Sequence, residues 1–199
     1  FMILTGLAKA AETENGTKMM GAELGDIALQ SSVIVQEQEN LPAYCKLRGK
    51  IANRIGFEAR FPLKGWNSRL FMAGCGGFCG ASQPDKETYS NSINPALRKG
   101  YATLTTDGGH EGQNFDTAWA MDDDEALAIF AHKMLPMGVS ALEKLSRNFY
   151  GAEALKKVFS GCSNGGRLGL IAAQRYPDLF DGILVGGPIL DMTGNAGHH

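Results

Sequence analysis

Charge of one sign is scarce in this chain: 19 Lys and Arg against 21 Asp and Glu leave a formal net charge of -2. Without a basic field or a long like-charge run, no surface is available to neutralise phosphates, and nucleic acid is excluded as a partner. Long apolar runs are also absent. No stretch reaches the roughly 18 consecutive apolar residues that a bilayer span requires, so membrane spanning by a helix is excluded. The opening Phe1-Met2-Ile3-Leu4 has neither the charged flank nor the small-residue cleavage site of a signal peptide. A first residue other than Met suggests a processed or cut start. The cysteines number 4, namely Cys45, Cys75, Cys79 and Cys162. They are too few for a disulfide-built miniprotein and more than a cytosolic core needs, which leaves pairing among them open. Cys75 and Cys79 have the spacing of half a zinc site, but no second Cys or His pair stands at ligand spacing, so no metal is expected in this chain. Internal repeats and low-complexity segments are missing.

What the chain has in plenty is glycine, 26 residues in a length of 199. The glycines cluster where apolar runs stop, as they do in a scaffold of short strands and helices joined by tight turns. The length suits one domain with one sizeable core. Residues 27–35 and 44–61 read as antiparallel opening strands, with residues 1–26 an N-terminal segment outside the domain. An apolar run at 66–73 stops at the glycine-rich residues 74–80, and a second at 101–105 stops at Thr106-Asp107-Gly108-Gly109-His110. From 122 to 149 apolar residues recur at helical spacing behind Asp122, Asp123 and Asp124, an acidic run that reads as a helix cap rather than a metal site. Strand 158–160, helix 165–176 and strand 180–185 follow. Strands alternating with helices predict an α/β fold: a doubly wound, mostly parallel sheet preceded by antiparallel strands.

The residues that carry chemistry are Gly161-Cys162-Ser163-Asn164-Gly165. They match G-x-S-x-G, and they lie between a predicted strand and a predicted helix, the context in which that pattern places an exposed nucleophilic serine on a strained turn. Small residues are needed on both sides of such a turn, and Gly161 and Gly165 supply them. Ser163 would be the nucleophile. The Asn164 backbone N–H, at the positive end of the next helix, would be one oxyanion donor. The plainer alternative is that Ser163 only caps the helix, as serine often does.

A second oxyanion donor is expected from a loop after an earlier strand, and Gly76 and Gly77 are the candidates. The spacing of Gly74, Gly76 and Gly80 also loosely mimics a dinucleotide-binding loop. The following Ala81-Ser82-Gln83-Pro84-Asp85 has no helical apolar period, so a pyrophosphate would lack a helix N-terminus to sit on.

These segments, together with Leu41-Pro42-Ala43-Tyr44-Cys45, Gly56-Phe57-Glu58, Trp66-Asn67-Ser68-Arg69, Gly166-Arg167, Gln174-Arg175-Tyr176-Pro177 and Phe180-Asp181-Gly182-Ile183, resemble the tannase and feruloyl esterase family. The likeness runs from about residue 27 to the end. It implies an α/β-hydrolase-type serine esterase, with residues 27–199 a partial catalytic domain that stops before the lid and the final strands. It implies hydrolysis of small aromatic esters, of gallic or hydroxycinnamic acids, through an acyl-serine and a Ser-His-Asp triad. It also implies secretion or a periplasmic location, a disulfide between Cys162 and a cysteine beyond residue 199, a second between Cys45 and Cys79, and no cofactor within this chain, with calcium possible in the lid region after it.

Hydrolases of this fold order the triad as Ser, acid, His along the chain. Asp191 with His198 or His199 satisfies that order formally, but no strand intervenes to return the histidine to Ser163, so the acid and base are expected beyond residue 199. His110 and Asp107 precede the serine and would need a different topology. His132, inside a helical apolar run, takes no role. Readings that share the scaffold are a non-catalytic binding protein and an acyltransferase or hydrolase acting on another acyl compound.

Overall fold

The computed structural model describes residues 19–86 and 91–196. The opening meander is built from β1 (Ile27–Val35), β2 (Tyr44–Ile51) and β3 (Ile55–Pro62), paired antiparallel, with a register shift in the β1–β2 ladder between Leu29 and Ser31. The turn between β2 and β3 holds Ala52 and Asn53 at positive φ, +50° and +55°. Such left-handed residues match the right-handed twist of the strands they join. Strand β3 then pairs antiparallel with β5 (Ala102–Thr106), and the sheet continues in parallel through β4 (Arg69–Ala73), β6 (Lys156–Cys162) and β7 (Gly182–Gly186). The spatial order of this 7-stranded sheet is β1-β2-β3-β5-β4-β6-β7. The mixed sheet expected from the sequence is therefore present.

Met19 and Leu24, ahead of β1, are buried in the same core, so the described part of segment 1–26 packs onto the domain. Residues 1–18 lie outside the described residues.

Helices cover the parallel half. α1 (Asn94–Arg98) links β4 to β5, and α2 (Asp124–Ala128), a π-helical turn (Ile129–Lys133) and α3 (Met134–Tyr150) link β5 to β6. α4 (Asn164–Arg175) links β6 to β7, and α5 (Met192–Ala196) follows. α3 buries Leu135, Val139, Leu142, Leu145 and Phe149, the i, i+4, i+7 spacing of one helix face, against the sheet. It ends at Gly151, whose φ of +68° allows its N–H to reach the Arg147 carbonyl at 2.8 Å. Full burial of one side chain such as Phe61 or Phe159, both at 0% exposure, contributes roughly 1.5–3 kcal/mol.

The run 122–149 is not one continuous helix. Asp123 does cap its start, accepting from the Ala126 N–H at 2.9 Å. The π turn then interrupts the α-helical pattern, and two of its carbonyls, Phe130 and Ala131, point to the Arg167 guanidinium at 3.1 and 3.0 Å. A wider turn offers those oxygens to a partner outside the helix.

Topology fixes where a site can form. The connection from β4 leads to β5 on one side, whereas that from β6 leads to β7 on the other. Adjacent parallel strands whose connections diverge leave a crevice outside their carboxyl ends. Residues 74–80 and the turn at Ser163 both start there.

Candidate active site

Ser163 stands between the last residue of β6 and the first of α4, with φ +58° and ψ -121°. That region is disfavoured for a residue with a side chain, at a cost of about 1–3 kcal/mol, and it persists only where the surroundings impose it. They do so here by close backbone approach. A Cβ on Gly161 would lie 2.4 Å from the Gly165 carbonyl carbon, and one on Gly165 would lie 2.7 Å from Asn91 Oδ1. The Ser163 N–H is tied to the Gly186 carbonyl of β7 at 3.0 Å. Its hydroxyl makes no capping bond to α4, so it is not spent on holding the helix. Among the described residues the Asn164 N–H donates to no acceptor, as expected in the first turn of a helix.

The Asn164 side chain was missed by the sequence reading, which used only its backbone. It is fully buried. Its Nδ2 donates to the Cys75 carbonyl at 3.2 Å, and its Oδ1 accepts from Arg167 Nε at 2.7 Å. Arg167 in turn holds the two π-turn carbonyls and lies 4.9 Å from the Phe130 ring centroid. Burial lowers its pKa to about 10, which still leaves it charged at neutral pH. One chain of contacts thus joins the glycine loop, the serine turn and the π turn.

The loop at 74–80 abuts this turn directly. A Cβ on Gly74 would sit 2.6 Å from Gly165 Cα. Gly76 and Gly77 part company here. Gly76 faces the Asn91 amide, 3.1 Å from where its Cβ would be, and Asn91 also touches Gly165 and Cys162. Gly77, at φ +57°, is turned against Asn114, whose carbonyl lies 2.6 Å from its would-be Cβ. Among the described residues neither the Gly76 nor the Gly77 N–H donates to a backbone carbonyl in the loop and turn contacts. The cavity lined by Gly74, Cys75, Gly76, Asn91 and Thr105 measures about 10 Å³, room for one water.

The expected Cys45–Cys79 disulfide is not formed. Cys79 is bonded to Cys75, with Cα atoms 5.3 Å apart. The tight loop, with Gly77 and Cys79 both at positive φ, folds its two cysteines within disulfide reach. Cys45 lies on β2, with β3 and β5 between it and β4, and its Sγ is 3.5 Å from Ser32 Oγ. Burial pushes its thiol pKa up. Cys162 carries a half-buried free thiol. The Cys75–Cys79 bond also removes that pair as metal ligands. Among the described residues no group of three or more His, Cys, Asp or Glu lies together as metal ligands would.

The loop after β5 is tied down by Asp107. Asp107 Oδ2 accepts from the Gly56 N–H at 3.0 Å and Oδ1 from the Gly109 N–H at 2.8 Å. Burial raises its pKa to about 6, against the pull of those two bonds. His110 stacks on Trp119 at 3.8 Å, and His132 Nδ1 pairs with the Tyr176 hydroxyl at 2.6 Å. Burial lowers both histidines' pKa values. His198 and His199 lie outside the described residues. No helix among those described is long and apolar enough to cross a membrane.

Comparison with known proteins finds similar sequences and folds among esterases. The chain is 35% identical over 164 residues to a mono(2-hydroxyethyl) terephthalate hydrolase of Piscinibacter sakaiensis, covering 74% of this chain and 27% of that protein. It is 32% identical over 154 residues to a probable feruloyl esterase B-1 of Aspergillus oryzae, covering 75% and 27%. The crystal structure of feruloyl esterase B from Aspergillus oryzae superposes with a TM-score of 0.75 at 26% identity, over 89% of this chain and 37% of that one. The chain spans about a quarter of the length of the curated relatives it matches. Its mixed sheet and these neighbours give it the α/β-hydrolase fold. Residues 35–199 match the tannase and feruloyl esterase family, and the chain belongs to that family.

Proposed function

We propose that this chain carries the nucleophile and the oxyanion site of a carboxylic ester hydrolase acting on small aromatic esters. The observation that carries the reading is Ser163 itself: a serine held at φ +58° on a strand-to-helix turn, with a hydroxyl that caps nothing. A strained turn of that kind is retained where it serves a reaction. Ser163 Oγ attacks the ester carbonyl carbon and its proton passes to a histidine. The oxyanion is held by the Asn164 and Gly76 N–H groups, and the tetrahedral intermediate collapses as the histidine returns its proton to the leaving oxygen, releasing the alcohol. Water then attacks the acyl-serine, releasing the acid and restoring the hydroxyl.

Of the described histidines, His110 is stacked on Trp119 and His132 is bonded to Tyr176. The Ser, acid, His order of the fold assigns the base and its acid partner to residues after Ser163, past the last one described. The chemistry calls for no cofactor. The aromatic ester preference rests on the family and on relatives named as feruloyl esterase and terephthalate ester hydrolase. A secreted or periplasmic setting suits the Cys75–Cys79 bond, since oxidising compartments preserve disulfides. The test is hydrolysis of methyl ferulate and methyl gallate by the native gene product and its Ser163→Ala variant. Turnover that vanishes with the hydroxyl is expected, and equal turnover by both proteins would refute the assignment.

A further inference from the structure

Asn91 is the buried polar residue whose position the proposed chemistry leaves unused. Its side chain lies between the serine turn and the glycine loop. Oδ1 accepts the Cys162 N–H at 3.1 Å, and it would be 2.7 Å from a Cβ on Gly165. Nδ2 would be 3.1 Å from a Cβ on Gly76. The ladder explains why an amide is needed there. Strands β4 and β6 pair as far as Ala73 and Ser160, and the Gly74 N–H still reaches the Ser160 carbonyl at 2.9 Å. In a parallel ladder the next rung would carry the Cys162 N–H to the Gly74 carbonyl. The chain has by then turned into the glycine loop, and Asn91 Oδ1 takes the rung instead.

Asn91 is held in place from below. Ser92 Oγ donates to the Pro84 carbonyl at 2.8 Å, and Asn94 Nδ2 donates to Asp85 Oδ1 at 3.0 Å. Arg60, itself 3% exposed, grips Asp85 through both terminal nitrogens, at 2.7 and 3.1 Å, and also donates to Asn94 Oδ1 at 2.6 Å. The fully buried Glu58 accepts from Arg60 Nε at 2.7 Å. A paired, hydrogen-bonded charge cluster of this kind fixes a backbone in one place, because loosening it would strand a buried charge.

From this geometry we infer that Asn91 is a positioning residue for the ester hydrolysis proposed above, setting the distance between the Gly76 N–H and the Asn164 N–H. The inference rests on that reading of Ser163. Donors to a developing oxyanion act only at short range, and a displacement of about 1 Å can cost on the order of 100-fold in rate. Asn91 acts through the Cys162 N–H and makes no hydrogen bond to the Ser163 hydroxyl among the described contacts. Its loss is therefore expected in the transition state and not in substrate binding.

Two variants separate the parts. Asn91→Leu keeps the volume and removes both polar atoms, whereas Asn91→Asp keeps an acceptor for the Cys162 N–H and replaces the amide beside Gly76. Each is made in the native gene product and assayed on an aromatic ester alongside Ser163→Ala. Active sites are counted by the acylation burst, and affinity for an aryl boronic acid, which forms a tetrahedral adduct with a serine, is measured in parallel. Expected is a kcat per titrated site roughly 10- to 100-fold lower in both variants, KM within about 2-fold of the parent, and boronate affinity falling in step with kcat. Unchanged kcat per titrated site in Asn91→Asp, or a loss accounted for wholly by fewer titratable sites, overturns the inference. Undiminished turnover by Ser163→Ala would instead overturn the esterase reading beneath it, and this inference with it.

Discussion

Two glycine-rich segments leave neighbouring strands at the same edge of the sheet, and exclusion and attachment share in holding them to different degrees. The turn after β6 is held by exclusion: Gly161, Gly165 and Gly74 come so close that no Cβ fits, and Ser163 is forced to φ +58°. The loop after β4, where Gly77 and Gly80 also leave no room for a Cβ, is held besides by attachment, through the Cys75–Cys79 bond, the Asn164 contact to the Cys75 carbonyl and the Phe78 N–H bond to Asn114. Exclusion permits one geometry and tolerates no added atom. Attachment is a sum of smaller terms that can be removed singly.

The contrast gives an ordered set of expectations. The largest effect is chemical: Ser163→Ala should lower kcat by about 10⁶ while leaving the melting temperature nearly unchanged, because only the attacking atom is lost. Next is Gly161→Ala, which places a Cβ 2.4 Å from Gly165 backbone atoms. Backbone cannot give as a flexible side chain can, so a loss of about 3 kcal/mol is expected, read as a Tm lower by roughly 6–12 °C. Gly76→Ala meets only the Asn91 amide at 3.1 Å and should cost less than Gly161→Ala in the same melt.

The paired change Cys75→Ser, Cys79→Ser should cost about 2 kcal/mol, since closing so short a loop removes little chain entropy. A larger penalty than that of Gly161→Ala would invert the comparison. A separate effect, read only as a pH dependence, concerns Asp107, whose folded pKa of about 6 lies above the ordinary 3.8. Between those values the folded state binds more protons than the unfolded one, so the Asp107 contribution to stability falls as pH rises from about 4 to about 6 and is level above that. The difference in Tm between the parent and Asp107→Asn, followed across that window, should show the slope. A difference that stays flat would mean that Asp107 is not held in its protonated form.

How far the sequence discloses these features follows from how local each one is. The serine turn was legible because its steric demand is met by Gly161 and Gly165, neighbours in the chain, and the strands by their alternation and their glycine stops. The disulfide was not, because the choice between Cys45 and Cys75 depends on a turn with Gly77 and Cys79 at positive φ that no periodicity announces. The π turn was hidden since, over five residues, its repeat differs too little from that of an α-helix, and its partner Arg167 lies on another helix. Asn91 and the Asn164 side chain replace backbone partners across the fold, and a polar residue in a loop gives no sign of doing so.

The central claim is that Ser163 becomes acylated during turnover. Rapid quenching of the native gene product with an aromatic ester such as methyl ferulate, followed by intact-mass and peptide analysis, tests it directly. The expected result is a single added acyl group on the peptide that contains Ser163, lost on longer incubation and absent from Ser163→Ala. Turnover without any acyl adduct on that peptide, or an adduct on another residue, would contradict it.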